Sequence, residues 1–229
     1  METVHGSIKY ATGTKIPQFR LHKYTDRYNF ASMLSKAART KKLILARTAP
    51  IFNIKGFEGT SMADLTTSTG LTKGALYGNF YNKEDLAMEA FKYSVRKVKE
   101  FVRQRVEQEV TYKRQLRAML DFFAEYVFHP PVAGGCPLLN TAVQVDDQLP
   151  GMRRVVVKEL MSTVMFIYNL LNKGIKAGEF RKDINPRELA YTIFCSIEGA
   201  IMFSRAERSE EPMKIIVKHC KKLLNEISI

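Results

Sequence analysis

The chain has 229 residues, 45% hydrophobic and 26% charged, with a formal net charge of +13. That length carries one large domain or two small ones, and the ordinary apolar fraction excludes wholesale disorder. With 13 Gly, 8 Pro and 3 scattered Cys, the composition excludes collagen-like, low-complexity, disulfide-framework and zinc-site architectures and fits a reducing cytoplasm. The longest strictly apolar stretches, such as Val164–Tyr168, fall far short of the ~18–20 residues that span a bilayer, so neither a membrane-crossing helix nor a membrane partner is expected. Residues 1–10 contain no apolar run of signal-peptide type.

The charge is unevenly placed. Residues 1–83 hold 13 Lys+Arg against 4 Asp+Glu, and residues 84–229 hold 23 against 19. A basic front and a nearly balanced body suit a nucleic-acid reader with a separate regulatory part. Residues 1–36 lack periodicity and are expected to form a loose extension. Met33 offers an alternative start that would make residues 1–32 an artefact of gene prediction. The functional alternative is a basic arm on DNA phosphates.

In chain order, the first predicted helix runs from Ala37 to Lys55, with Leu43, Ala46, Ala49, Ile51 and Phe52 as its apolar face and Pro50 kinking it. Ser61, followed by Asp64, predicts a capped second helix. Thr69-Gly70-Leu71 predicts a tight turn, and Thr72 caps a third helix, Lys73 to Phe80. A fourth helix follows from about Asn82 to Val110, then Lys113–Phe128, Leu138–Asp147, Pro150–Ala177, Pro186–Glu207 capped by Asn185, and Glu211–Ile227. No strand pattern competes. The predicted fold class is all-α with about nine helices: an extension over 1–36, a three-helix module over 37–83 and a helical body over 84–229.

Residues 59–83 read as helix, tight turn, helix. Leu71, Leu76 and Phe80 bury the second of these helices on the first, leaving Thr72, Lys73, Gly74, Ala75, Tyr77 and Asn79 outward. The N-terminal end of such a helix enters a major groove in helix-turn-helix readers, and capped helix starts at Ser61 and Thr72 offer N–H groups to phosphates.

Residues 40–95 resemble the DNA-binding domain of the tetracycline-repressor (TetR) family of bacterial transcription regulators. The resemblance is carried by Ala49, Phe52, Gly56, Thr60-Ser61-Met62, Asp64-Leu65, Thr69 to Gly74, Leu76-Tyr77, Phe80, Lys83-Glu84 and Leu86. Gly135 to Asn140 is similar to a segment in one branch of that family. The resemblance implies a dimeric helix-turn-helix protein on double-stranded operator DNA with a small-molecule effector. It implies base contacts from Lys73, Gly74 and Ala75, and backbone or flanking contacts from Tyr77 and Asn79. Phosphate contacts would come from Thr60 or Ser61 and from Lys83.

In the body no catalytic or metal-ligand spacing is found, so no enzyme activity, metal or cofactor is expected. Cys136 reads as a small buried residue, with a low-pKa redox thiol as the alternative, and Cys195 reads as core. Family resemblance would set Phe122, Phe123, Tyr126, Met161, Met165, Phe166 and Tyr168 around a ligand cavity, although such stripes are more often plain core. Arg117, Gln144 and Asn169 are polar candidates there. Leu189, Ile193, Ile197, Ala200, Ile201, Ile216 and Leu223 on the last two helices suggest a dimer face forming a four-helix bundle. The leading expectation is a ligand-released repressor whose fourth helix links cavity to reader. A helical DNA-binding or interaction protein without an effector is the alternative.

Overall fold

The computed structural model describes residues 36–145 and 149–229; the expectations about the extension at 1–35 and about Asp147 lie outside them. Among the described residues there are nine helices and no sheet: α1 Lys36–Lys55, α2 Met62–Thr69, α3 Lys73–Tyr77, α4 Lys83–Val106, α5 Tyr112–Tyr126, α6 Pro137–Ala142, α7 Pro150–Lys176, α8 Pro186–Glu207 and α9 Glu211–Glu226. The all-α fold is as expected. Helices α3 and α6 stop earlier than predicted, at Tyr77 and Ala142. Helix α1 continues through Pro50.

Local chemistry sets the helix starts. Ser61 and Asp64 form a complete capping box at α2. Thr72 caps α3 through the Ala75 N–H, Asn82 caps α4 through that of Asp85, and Asn185 caps α8. Helix α5 is capped by Thr111 and, from across the fold, by Glu179, whose carboxylate accepts the Tyr112 and Lys113 N–H groups at 3.1 and 2.9 Å.

The unit Thr40–Ile229 holds two apolar cores. The first joins Ile44, Leu45, Ala49 and Phe52 of α1 to Leu65, Leu76 and Phe80. The buried face of α1 is thus rotated from the expected one: Leu43 and Ala46 are exposed, and Ile44 and Leu45 point inward. The second core is built from α5 packed on α4, α7 and α9, with α8 between α7 and α9. Helix α4 serves both: Leu86, Ala87 and Ala90 lie in the first core, and Phe91, Val95, Val102 and Val106 in the second.

By length and composition α7, 27 residues long, could cross a membrane, contrary to the expectation of no such helix. In the fold it buries Val156, Val164, Ile167 and Leu171 in the second core. An isolated antiparallel bridge joins Phe180 to Ser228, and the Arg181 N–H donates to the Ile227 carbonyl at 2.9 Å. This pairing fixes the end of α9 against the α7–α8 connection.

Candidate nucleic-acid interface and effector cavity

Helices α2 and α3 meet across a turn in which Gly70 takes a left-handed conformation, φ 72°. Leu65 and Leu76 are fully buried between them. What remains outward on α3 is Thr72, Lys73, Gly74 and Tyr77, with Ala75 half-buried. A Cβ placed on Gly74 would meet only the Thr72 hydroxyl at 4.0 Å, so the backbone here is open to close approach. Tyr77 rests its hydroxyl 3.4 Å from the Met62 sulfur, and the Lys73 ammonium stands 5.9 Å from the Tyr77 ring centre. These contacts hold both side chains near the surface of α3.

Two of the expected phosphate or base contacts are changed by the geometry. Thr60 has no exposed surface, and its hydroxyl donates to the Gly56 carbonyl at 2.6 Å, so its side chain closes the α1–α2 corner instead of meeting DNA. The Asn79 amide donates to the Ala75 carbonyl at 2.9 Å, which turns its NH₂ back onto the end of α3. Ser61 is exposed and Lys83 half-buried, its ammonium 4.4 Å from the Phe57 ring centre. Asp64, bound to Lys55 at 2.6 Å and to the Ser61 N–H, has its carboxyl lowered to about 2.

In the body, α4, α5, α6, α7 and α8 line a cavity of about 140 Å³. Its wall is mainly apolar and includes Val102, Met119, Phe123, Phe166 and Phe194. Of the seven expected pocket residues, Phe123 and Phe166 line it. Phe122 and Tyr126 are sealed into the core, where they pack edge-on and tilted against Phe123. Met161 and Met165 face outward, because that side of α7 points away from the bundle, and Tyr168 is half-buried outside the lining. Arg117 bonds to Asn225 and Gln144 to the Phe57 N–H, and Asn169 is exposed, so none of the three serves the cavity.

The polar groups of the wall are Lys99, Arg103, Ser162, Thr163 and a buried pair not anticipated from the sequence, Cys136 with Glu198. The Cys136 thiol donates to Glu198 Oε1 at 3.1 Å. Burial and the neighbouring carboxyl push the thiol up, the opposite direction from the low-pKa alternative for Cys136. Burial also raises the Glu198 carboxyl to about 7. Cys195, expected in the core, is exposed on the other side of α8.

A hydrogen-bonded cluster joins this cavity wall to the reader core. Asn53 of α1 donates to the carbonyls of Ala133 and Gly135 at 2.9 and 3.0 Å. Asn140 of α6 donates to the Asn53 backbone and side-chain oxygens and to Gly134. Gly134 and Gly135 both have positive φ, and a Cβ on Gly134 would meet the Asn53 amide at 2.8 Å. Cys136, the next residue, is the N-cap of α6.

The expected dimer residues also change. Ile193, Ile197, Ala200 and Ile201 are buried in the core of their own chain, since α8 turns that face toward α7 and α9. Leu189 and Ile216 pack half-buried against the same core, and Leu223 is half-buried. The outward apolar surface of α8 and α9 includes Tyr191, Cys195, Met202, Phe203 and Ile215.

Comparison with known proteins gives one consistent answer. Residues 44–90 match the family described as "Bacterial regulatory proteins, tetR family", and residues 113–220 match "Tetracyclin repressor-like, C-terminal domain". A TetR-family regulator from Cytophaga hutchinsonii is 36% identical, with a TM-score of 0.79 over 86% of this chain and 98% of that one. The TetR-family regulator CifR, solved as a cysteine mutant on 26-base-pair operator DNA, has the same fold at 19% identity and TM-score 0.71, over 79% of this chain and 94% of that one. The transcriptional repressor DhaR of Mycobacterium sp. (strain GP1) is 22% identical over 77% of this chain and 88% of its own length. The chain belongs to the TetR family of bacterial transcriptional regulators.

Proposed function

We propose that this regulator is a homodimeric repressor released from a palindromic operator by a small molecule held in the α4–α8 cavity. The observation that carries this reading is the cluster of Asn53, Asn140 and Gly134-Gly135. It places the cavity wall at Cys136 one residue from hydrogen bonds to the reader core. A ligand that favours one arrangement of α6 over another shifts the reader through those bonds and through α4, which both cores share. CifR on its operator and the repressor name of DhaR support the DNA partner and the sign of control. Such a protein works in the cytoplasm, and nothing in the reading calls for an enzyme activity.

In this reading Lys73, Gly74 and Ala75 read base edges, Tyr77 and Ser61 meet the backbone, Thr72 presents the α3 N-terminus, and Lys83 meets a phosphate. The outward faces of α8 and α9 pair across a two-fold axis, and set two α3 helices about 34–36 Å apart. Operator binding by the full chain tests the assignment. Lys73→Ala and Tyr77→Ala should each weaken operator binding about fivefold or more, as expected for losses of roughly 1–3 kcal/mol, with dimerisation intact. Unchanged operator affinity in gel shifts of both variants overturns it.

A further inference from the structure

Glu198 is the one acidic residue in the otherwise uncharged stretch from Ile193 to Phe203. It stands in the cavity wall, where Oε1 accepts the Cys136 thiol and Oε2 is buried without a hydrogen-bond partner. The charged and titratable groups around it offer no compensation. Cys136 and Tyr126 are uncharged donors on neighbouring elements, and burial raises both. Lys99 and Arg103 of α4 also line the cavity, but the Lys99 ammonium is held by Glu159 at 2.5 Å and Ser162 at 3.1 Å. Arg103 pairs at 3.9 Å with Glu107, and Arg205, further along α8, acts on Tyr126. A buried carboxyl oxygen left unpaired in an apolar wall is costly, and a ligand that donates to it recovers that cost.

We propose that the cavity takes a small apolar amine, its ring or short chain against Met119, Phe123 and Phe166 and its ammonium on the Glu198 carboxylate, which turns to bring the buried Oε2 to the cavity surface. This rests on the reading of the cavity as the effector site. The volume of about 140 Å³ sets the size of the body, since an engineered apolar cavity of about 150 Å³ holds benzene. The charge sets the head group. An ammonium supplies both the missing donor and the missing counter-charge. An alcohol supplies only the donor, a hydrocarbon neither, and a carboxylate adds like charge. Burial holds the free carboxyl near 7, so the ionised form that an ammonium selects is scarce at pH 6 and dominant at pH 8.

Calorimetry on the full chain with benzylamine, benzyl alcohol, toluene and benzoate tests this. Benzylamine should bind at least about tenfold tighter than benzyl alcohol at pH 8, and its own affinity should rise about tenfold from pH 6 to pH 8. Benzoate should not bind at pH 8, where Glu198 is ionised. Glu198→Gln should lose the preference for the amine and keep toluene binding, which shows that the variant still folds and its cavity is intact. The proposal is overturned if Glu198→Gln binds benzylamine as tightly as the unaltered chain, if benzoate competes equally, or if none of the four probes binds. Gel shifts separate the two readings: benzylamine that binds through Glu198 but leaves operator affinity unchanged retains the ligand class and removes the effector role.

Discussion

Glu198 shows how one side chain couples stability to acidity. Its carboxyl is raised by burial to about 7, so the folded chain keeps a proton that the unfolded chain has already released above about pH 4.5. Folding stability therefore falls as pH rises from about 4.5 to about 7 and levels off beyond, the sense required when the native state binds the extra proton. Thermal melts of Glu198→Gln across that range should show a flatter profile than the unaltered chain, with the variant relatively more stable at pH 8. A parallel pair of profiles would refute the assignment. At this scale sequence reading succeeds where a residue's role is local. Ser61, Thr72 and Asn185 cap helices because a short polar side chain before an amphipathic run needs no distant partner. It fails for Thr60 and Asn79, whose polar groups are taken by backbone carbonyls at the helix corners. Nor did it single out Glu198, although an isolated carboxyl in an apolar stretch was the available signal.

Among the elements, the contact between α1 and α6 and the crossing of α7 with its following turn depend on single residues. Asn53→Ala removes two donors to Ala133 and Gly135 and leaves Asn140 short of an acceptor. It should cost about 1–3 kcal/mol and, beyond that loss, blunt release from the operator by a saturating effector. Urea denaturation reads the first effect and titrated gel shifts the second, and full effector response with normal stability would exclude the cluster from signalling. Gly174 of α7 faces the fully buried Phe180 ring so closely that no Cβ fits. Gly174→Ala should destabilise by about 1–3 kcal/mol through overpacking, seen as a lower urea midpoint. Helix existence and order were legible because periodicity and caps report on one segment at a time. The direction of each face was less so. The apolar residues of α8 occupy both sides, and only packing against α7 and α9 decides that Ile193, Ile197 and Ile201 turn inward while Met202 and Phe203 remain outside.

For the whole molecule, the outward residues Phe203 and Ile215 are 56% and 58% exposed, a large apolar area for a surface with no further partner. Phe203→Arg should convert a dimer to monomers in analytical ultracentrifugation and abolish tight operator binding, because two readers joined across a two-fold axis bind far better than one. An unaltered dimer would move the interface elsewhere. The net charge of +13 also acts at this scale, since log K for DNA falls by about 0.9 per phosphate neutralised for each tenfold rise in salt.

Because α4 takes part in both apolar cores, it acts as a stiff rod with its ends embedded in different surroundings. Its 24 residues make it about 36 Å long. A tilt of about 5° pivoting at one end carries the other through roughly 3 Å, close to the rise of one base pair. In the proposed symmetric dimer, tilts of opposite sense would double the change in separation. If the proposed effector mechanism holds, sub-ångström repacking around a molecule of a few carbon atoms would become an error of phase along the double helix, which neither half-site could correct alone.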